Sequence, residues 1–171
     1  MTTYKEIFGK YVKNYSSDPS SDAEGQVWYN TTSGTFKSVL AAGAWSAGGN
    51  LGTARYSLAG AGIQTAGLAF GGSTFSNETE EYNGTSWTAG GAMGTGRFGA
   101  GGAGIQTAAL AIGGYTTTPI ANTESWNGTS WTTNPGSMST ARYLLAGAGT
   151  QTAGLGFGGY STGATAATEE W

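Results

Sequence analysis

The chain has 171 residues, of which 32 are glycine, and only 10% of its residues are charged. Ordinary soluble domains contain about 7% glycine and about 25% charged residues, but an aromatic content of 12% excludes a disordered glycine-rich linker. The sequence contains no histidine and no cysteine, which excludes disulfides, zinc sites built from these residues and Ser-His-Asp triads. We therefore expect a protein that is not an enzyme and that has no catalytic residues, no cofactor and no metal site.

Charge and hydropathy also limit the classes of partner. The net charge is −3, and beyond residue 40 the basic residues are three isolated arginines, so the basic surface that binds nucleic acid is missing. No run of 18 apolar residues occurs, which predicts no membrane insertion. The first ten residues lack the apolar core of a secretory signal, so we expect no secretion.

Residues 1–43 are predicted to form a linker and attachment segment that contains a β-hairpin. The range 4–12 fits a short helix or a short strand. The range 16–22, with the sequence SSDPSSD, predicts an extended or turning linker. The ranges 26–30 and 35–40 favour strands, and the four residues TTSG between them complete a hairpin pattern.

Residues 44–171 repeat with a period of about 44 residues. Three sets of residues mark the repeat, namely Arg55, Arg97 and Arg142, then Trp45, Trp87 and Trp131, and then Tyr82, Trp126 and Trp171. Each unit predicts four short strands, with a Gln-Thr turn after the first, Gly-Gly after the second and a tight Asn-Gly turn after the third. Four-stranded units of this length in series are typical of propeller blades.

The repeated motif resembles the kelch repeat. Gly71-Gly72, Glu80, Tyr82 and Trp87 stand in the kelch order, and the same order recurs in the next two units. The Gly/Thr-rich repeats with Asn-Gly-Thr-Ser-Trp turns are similar to kelch-like proteins of tailed phages of marine bacteria, as are the opening segments TYKEIFG and GQVWYN. This resemblance implies an all-β, kelch-type β-propeller and a place in a phage virion that is assembled in the host cytoplasm.

The repeat region does not contain a whole number of four-stranded units. Residues 44–51 predict a lone fourth strand, followed by blades at 52–93, 94–138 and 139–171, the last of which lacks its fourth strand. Three blades do not close a ring, since propellers contain about four to eight. We expect a homodimer that shares one six-bladed propeller, in which each chain's first strand completes its partner's last blade and covers an exposed edge. A ring completed by a different chain is the competing explanation.

Two sets of repeated side chains are predicted to be structural. Paired positions carry arginine and glutamate, which predicts bidentate ion pairs that tie blade to blade; an anion-binding ring of arginines is the alternative. The residues are Arg55, Arg97 and Arg142 with Glu80, Glu124 and Glu169. The repeated aromatic residues are predicted to pack between blades, with a sugar-stacking set as the alternative. They are Trp45, Tyr82, Trp87, Trp126, Trp131 and Trp171.

Strand alternation places the connections of variable length on one face of the repeat region. Variable polar loops on a rigid scaffold are where recognition usually takes place. The candidate binding residues of these loops are Phe75, Asn77, Tyr115, Thr116, Thr117, Tyr160 and Ser161. Their aromatic rings and hydroxyl groups suit a carbohydrate or a protein surface.

These observations favour a non-enzymatic structural or adhesion protein of a phage virion. In this interpretation residues 1–40 attach the chain to other virion proteins, and the propeller binds a glycan or protein of the host surface. The alternative is a soluble lectin-like or protein-interaction propeller that has no connection with a virion.

Overall fold

The computed structural model describes residues 13–18, 27–38 and 45–171. The chain divides into two compact units, Met1–Ala47 and Gly48–Trp171. Within the described residues the regular structure consists of fourteen β-strands in four sheets and one 3-10 turn at Ser73–Phe75. The predicted all-β class is therefore confirmed. No helix in the described ranges has the length and apolar character needed to cross a membrane.

The first unit contains a three-stranded sheet. Strand β1 (Lys13–Tyr15) runs parallel to β2 (Val27–Asn30), which pairs antiparallel with β3 (Thr35–Ser38). The predicted hairpin is present, with Asn30 opposite Thr35 and Val27 opposite Ser38 at its ends. The segment predicted at 4–12 and the second half of the predicted linker, 19–22, lie outside the described residues.

Asp18 fastens the first half of the predicted linker to this hairpin. Its Oδ2 pairs with Lys37 Nζ at 2.6 Å, and its Oδ1 accepts hydrogen bonds from Asn30 Nδ2 at 2.8 Å and Trp28 Nε1 at 3.2 Å. The hydrogen bonds from Lys37 and Asn30 lower the pKa of the Asp18 carboxyl, and partial desolvation opposes them only in part. Asp18, which the sequence places in a linker, therefore binds the hairpin through its side chain.

The second unit contains three antiparallel sheets, in each of which every strand pairs with the next strand of the chain. Sheet I comprises β4 (Ala59–Ile63), β5 (Ala66–Phe70), β6 (Thr79–Tyr82) and β7 (Trp87–Ala89). Sheet II comprises β8 (Gly101–Ile105), β9 (Ala108–Tyr115), β10 (Pro119–Trp126) and β11 (Trp131–Ser137). Sheet III has three strands within the described residues, β12 (Ala146–Gly149), β13 (Gly154–Phe157) and β14 (Thr168–Glu170).

The Asn-Gly pairs form the tight turns between the third and fourth strands of sheets I and II. Asn83 Oδ1 accepts hydrogen bonds from the backbone N–H groups of Thr85 and Ser86 at 3.0 and 2.9 Å. Gly84 has a φ of 91°, a conformation that glycine adopts without steric cost. The side chain of Asn127 makes the same two contacts in sheet II.

The first strands of the three sheets lie side by side and touch through their backbones. A methyl group placed on Gly102 would lie 2.2 Å from the carbonyl oxygen of Gly60, and one placed on Gly147 would lie 2.4 Å from that of Gly102. Only glycine permits this approach. The glycine-rich runs are thus explained by close packing between inner strands.

The space between sheets I and II holds the larger of the two buried apolar clusters found among the described residues. Phe70, Met93 and Trp126 are buried there, and Trp131 packs against them. The predicted packing of aromatic residues between repeat units is therefore present at this junction. The Trp87 ring packs on Tyr82 of its own sheet, at a centroid separation of 4.9 Å, as Trp131 does on Trp126. Trp87 differs because no ring of another sheet packs on it within the described residues.

The strand predicted at 44–51, with its packed tryptophan, stays a prediction, because it is expected to complete a blade of a second chain, and residue 44 lies outside the described residues. Residues 45–50 are not a strand, and the Trp45 side chain is fully exposed, at 104% of its reference area. The physical reason is that a strand forms only where a neighbouring strand satisfies its backbone groups, and residues 45–50 make no hydrogen bond within the described part of the chain.

Candidate binding face

One aromatic position recurs at the same end of every sheet in the second unit. The residue that follows the repeated arginine is Tyr56, Phe98 or Tyr143. In sheets II and III it bridges to a tyrosine that follows Gly-Gly. Phe98 and Tyr115 exchange backbone hydrogen bonds of 3.1 and 2.9 Å, and Tyr143 and Tyr160 exchange bonds of 3.0 and 2.8 Å. Backbone pairing thus places two rings side by side in each of these sheets.

The rings of three sheets join into one continuous series. The Phe75 ring lies 5.8 Å from Phe98, Phe98 lies 5.2 Å from Tyr115, Tyr115 lies 5.0 Å from Tyr143, and Tyr143 lies 5.7 Å from Tyr160, all between centroids. Such separations and tilted orientations are those that aromatic pairs prefer. We call these five residues the aromatic band.

The two ends of the aromatic band are the parts most open to solvent. Phe75 is 47% exposed and Tyr160 is 42% exposed, and Phe98, Tyr115 and Tyr143 are half-buried. Solvent-exposed rings of this kind offer an apolar surface that can stack on a ligand, and the tyrosine hydroxyls add hydrogen-bonding capacity.

Polar groups line a cavity at the Phe75 end of the aromatic band. A cavity of about 320 Å³ beside Phe75 is lined by Thr53, Ser73, Thr74 and Asn77, among others. These side chains offer three hydroxyls and one amide as hydrogen-bonding groups. The candidate residue Asn77 therefore lies next to the candidate residue Phe75.

The other predicted loop residues belong to two equivalent short turns next to the tyrosines of the band. The N–H of Thr116 donates to the carbonyl oxygen of Thr118 at 3.1 Å, and the N–H of Ser161 donates to that of Gly163 at 3.1 Å. Thr117, at the tip of the first turn, is exposed. The structure thus brings the candidates Phe75, Tyr115 and Tyr160 into one series and places the polar candidates along its border.

The backbone near this face is strained at several residues. Thr74 and Phe75 have φ values of 60° and 57°, and Ser57 and Leu144 have values of 52° and 54°. Residues other than glycine rarely adopt this left-handed conformation, which costs of order 1–3 kcal/mol at each position. Strain of this kind clusters at ligand sites, and here it supports the assignment of a binding face.

Each repeated arginine forms an ion pair with the repeated glutamate of its own unit. The pairs are Arg55–Glu80 at 2.7 Å, Arg97–Glu124, and Arg142–Glu169 at 2.8 Å. The predicted tie from blade to blade is wrong, because both partners lie in one unit. The predicted bidentate geometry is wrong as well, since one carboxylate oxygen takes the guanidinium and the other accepts a backbone N–H, such as that of Gly52 on Glu80 Oε2 at 2.7 Å.

Burial decides between a structural role and an anion-binding role for these arginines. Arg97 is 0% exposed, and its Nη1 donates to the carbonyl oxygens of Gly113 and Asn122, both at 2.9 Å. Burial lowers the pKa of the Arg97 guanidinium, and the Glu124 carboxylate opposes this effect. A side chain without exposed surface does not reach an external anion, so Arg97 is structural.

The third ion pair is more open than the second. Glu169 keeps 24% of its side-chain area exposed, whereas Glu124 keeps none. Although burial acts to raise it, the pKa of the Glu169 carboxyl is lowered overall by hydrogen bonds from Ser139 and by the Arg142 guanidinium. The difference follows from position, because sheet III is the last sheet of the second unit and, among the described residues of that unit, no further sheet covers its outer side.

Sequence reasoning missed Phe98 and Tyr143 as members of the binding face. The signal was available, since both follow the repeated arginine at the position of Tyr56. No known protein-family model matches this chain, and no curated protein matches it.

Proposed function

We propose that this protein is a non-enzymatic binding protein that recognises a glycan of a host surface through the aromatic band. The observation that carries the proposal is the unbroken series of rings from Phe75 to Tyr160, open at both ends. Sugar rings present apolar C–H faces that stack on aromatic rings, and the hydroxyls around the band are suited to hydrogen-bond sugar hydroxyls. A host protein is the second ligand class that such a surface suits.

We further propose that the three sheets are kelch-type blades and that two chains share a six-bladed ring. This proposal is supported by repeated residues of the first and last sheets, which are exposed where their equivalents between two sheets are covered. Tyr56 is 72% exposed, and no ring among the described residues packs on it, while its equivalents Phe98 and Tyr143 lie inside the band. In the ring, Tyr56 of one chain would lie beside Tyr160 of the other and extend the band across the joint.

The proposed location is a phage virion, with residues 1–40 as the attachment to other virion proteins. This part of the proposal rests on the resemblance of the repeats and of the opening segments to kelch-like phage proteins. The alternative is a lectin-like or protein-interaction propeller that is not tied to a virion, and the hydroxyl-lined cavity beside Phe75 is compatible with both. Deletion of residues 1–40 separates them, because only the virion protein would lose incorporation into phage particles.

A glycan array tests the binding proposal directly. We expect the wild-type chain to bind a subset of glycans and Tyr160→Ala to lose at least tenfold in affinity, because an exposed stacking ring is removed. Ile105→Ala is the matched control, since Ile105 is 56% exposed and ends β8 at the opposite end of the sheets. A blank array for the wild-type chain, or equal losses in both variants, would contradict glycan recognition by the band.

A further inference from the structure

We propose that a cavity formed by sheets II and III receives Trp45 of a second copy of this chain. In this arrangement residues 45–47 of that copy pair with β14 and become the fourth strand of sheet III. The inference rests on the proposed two-chain ring and identifies the residues that close it.

A filled socket of the same kind exists between sheets I and II, where Trp131 occupies it. The Trp131 ring lies 4.8 Å from Phe70 and 5.4 Å from Trp126 between centroids. Its Nε1 donates a hydrogen bond to Thr79 Oγ1 at 2.8 Å, and Met93 belongs to the same buried cluster. A complete socket therefore combines two aromatic rings, one methionine side chain and one hydroxyl acceptor.

One repeat further along the chain, the equivalent residues line an open cavity. They are Ile112, Thr123, Met138 and Trp171, which replace Phe70, Thr79, Met93 and Trp126 in that order. Trp171 is 44% exposed, whereas Trp126 is 0% exposed. The Thr123 hydroxyl makes no hydrogen bond within the described residues. The second socket is thus assembled, and what it lacks is a tryptophan.

Residues 45–49 match the segment that supplies a fourth strand. Their sequence WSAGG corresponds to WTAGG at 87–91, which begins with β7 of sheet I. A methyl group on Gly91 would lie 2.3 Å from the turn carbonyl of Thr129 in the next sheet, and one on Gly49 would lie 2.3 Å from that of Thr85 in sheet I. By the repeat, the residues before Gly49 belong to the outer strand of a sheet that precedes sheet I.

The side of sheet I that would face this preceding sheet lacks its hydrogen-bond partners. In sheet II, Gln106 Nε2 donates to the carbonyl oxygens of Gly67 and Tyr82 in sheet I, at 3.1 and 2.7 Å. Gln64 holds the matching position in sheet I, is exposed, and makes no hydrogen bond within the described residues. An amide donor is therefore left over on this side.

Sheet III offers what sheet I lacks, which identifies the partner as a second copy. Gly154 and Trp171 stand at the repeat positions of Gly67 and Tyr82, so their carbonyl oxygens suit Gln64. Phe157, the equivalent of Phe70, is 38% exposed at the same outer side. Because the two sides of one chain complement each other, two copies related by a two-fold axis form both joints at once.

A disulfide between copies tests the strand pairing. Thr132 lies opposite Ser125 in sheet II, so the repeat places Ser46 opposite Glu170 of the second copy. Opposite residues of antiparallel strands have Cα atoms about 4.5–5.5 Å apart, a distance that a disulfide spans. The chain contains no cysteine, so the double variant Ser46→Cys/Glu170→Cys carries a single pair per joint. We expect mild oxidation to give a covalent dimer on a non-reducing gel.

The matched control moves one cysteine to sheet I. Glu81 is the equivalent of Glu170, but Thr88 already lies opposite it in β7. The double variant Ser46→Cys/Glu81→Cys should therefore remain a single chain after oxidation. Equal crosslinking in both double variants would overturn the proposed register.

The variant Trp45→Ala tests the socket itself. Because the Trp45 side chain is fully exposed in the single chain, we expect an unchanged circular dichroism spectrum and a shift from twice the chain mass to the single mass in light scattering. One result overturns the socket assignment but not the two-chain ring. In it, the wild-type chain and Trp45→Ala both have twice the chain mass, and the Ser46→Cys/Glu170→Cys variant forms no crosslink. If the wild-type chain has the mass of one chain, both the socket assignment and the two-chain ring are overturned. Sheet III would then need its fourth strand from another source. Glycan binding is read separately, on the array.

Discussion

Trp131 and Thr79 join two neighbouring sheets through one hydrogen bond, which runs from the indole Nε1 to the threonine Oγ1 over 2.8 Å. Thr79 is 1% exposed, so water does not replace the indole as a partner. This contact shows how a tryptophan occupies the socket that is still open around Thr123. Its contribution to the free energy of unfolding can be measured within one chain.

We expect Trp131→Phe to lower the free energy of unfolding by about 1–3 kcal/mol, because the buried hydroxyl of Thr79 is left without a partner. Adding Thr79→Val should recover part of this loss, since both hydrogen-bonding groups are then gone. Urea denaturation of the wild type, the two single variants and the double variant measures the coupling. Strictly additive effects would contradict an energetic role for this hydrogen bond.

Two glycine substitutions are expected to have different effects, since Gly102→Ala should lower the stability of the chain and Gly60→Ala should prevent the association of two chains. Gly102→Ala should destabilise the chain by about 1–3 kcal/mol, because the added methyl group overpacks the junction between inner strands. Gly60 is exposed, and a methyl group there has Leu68 O as its nearest neighbour at 3.3 Å. In the proposed ring this methyl group would meet the inner strand of the second copy.

Thermal unfolding and light scattering, read together, check this pair of variants. In light scattering, Gly60→Ala should have the mass of one chain, because it does not associate, and its thermal unfolding should be that of a folded single chain. In thermal unfolding, Gly102→Ala should have a reduced melting temperature. A Gly60→Ala variant that still associates like the wild type would be inconsistent with backbone contact at that strand.

The buried ion pair of sheet II is expected to matter far more than an exposed one. Arg97→Met should cost about 3–5 kcal/mol, because it leaves the fully buried Glu124 carboxylate without its partner. Lys37→Met is the control, since Lys37 and Asp18 are 37% and 47% exposed and exposed pairs contribute about 0–1 kcal/mol. Chemical denaturation curves give both values, and similar losses for the two variants would refute the distinction.

The Asp18 contacts predict a pH dependence of the first unit. The folded pKa of this carboxyl lies below its unfolded value, so its stabilising effect is complete above the unfolded pKa and is lost as the pH falls through the folded pKa. A carbon-detected NMR titration should place the Asp18 midpoint below the ordinary value of about 3.9. The Lys37→Met variant should move this midpoint upward, and a midpoint that does not move would argue against the Lys37 contact.

The strands and turns of the repeat units were predictable from the sequence because their causes are local, whereas β1 (Lys13–Tyr15) was not predicted. Asn83-Gly84 specifies a turn by its own conformational preferences and by its own side-chain hydrogen bonds. The glycine runs likewise predicted close packing of inner strands, which Gly102 and Gly60 display. In a repeat, each local signal also occurs in two or three units, which strengthens the assignment.

The features that sequence reasoning missed depend on how separate elements meet. Phe98 and Tyr143 join the aromatic band only because adjacent sheets bring their rings within 5.9 Å. Glu80 divides its two oxygens between Arg55 and the N–H of Gly52, a geometry that residue spacing does not encode. Asp18 meets Lys37 across nineteen positions of the chain.

The proposed ring depends on closure, by a second copy, of the incomplete arc that the three repeat sheets form. Light scattering coupled to size-exclusion chromatography of the wild-type chain tests it most directly, at micromolar concentration and moderate salt. The shared ring predicts twice the 17.2 kDa mass of one chain. A single species of 17.2 kDa would contradict it.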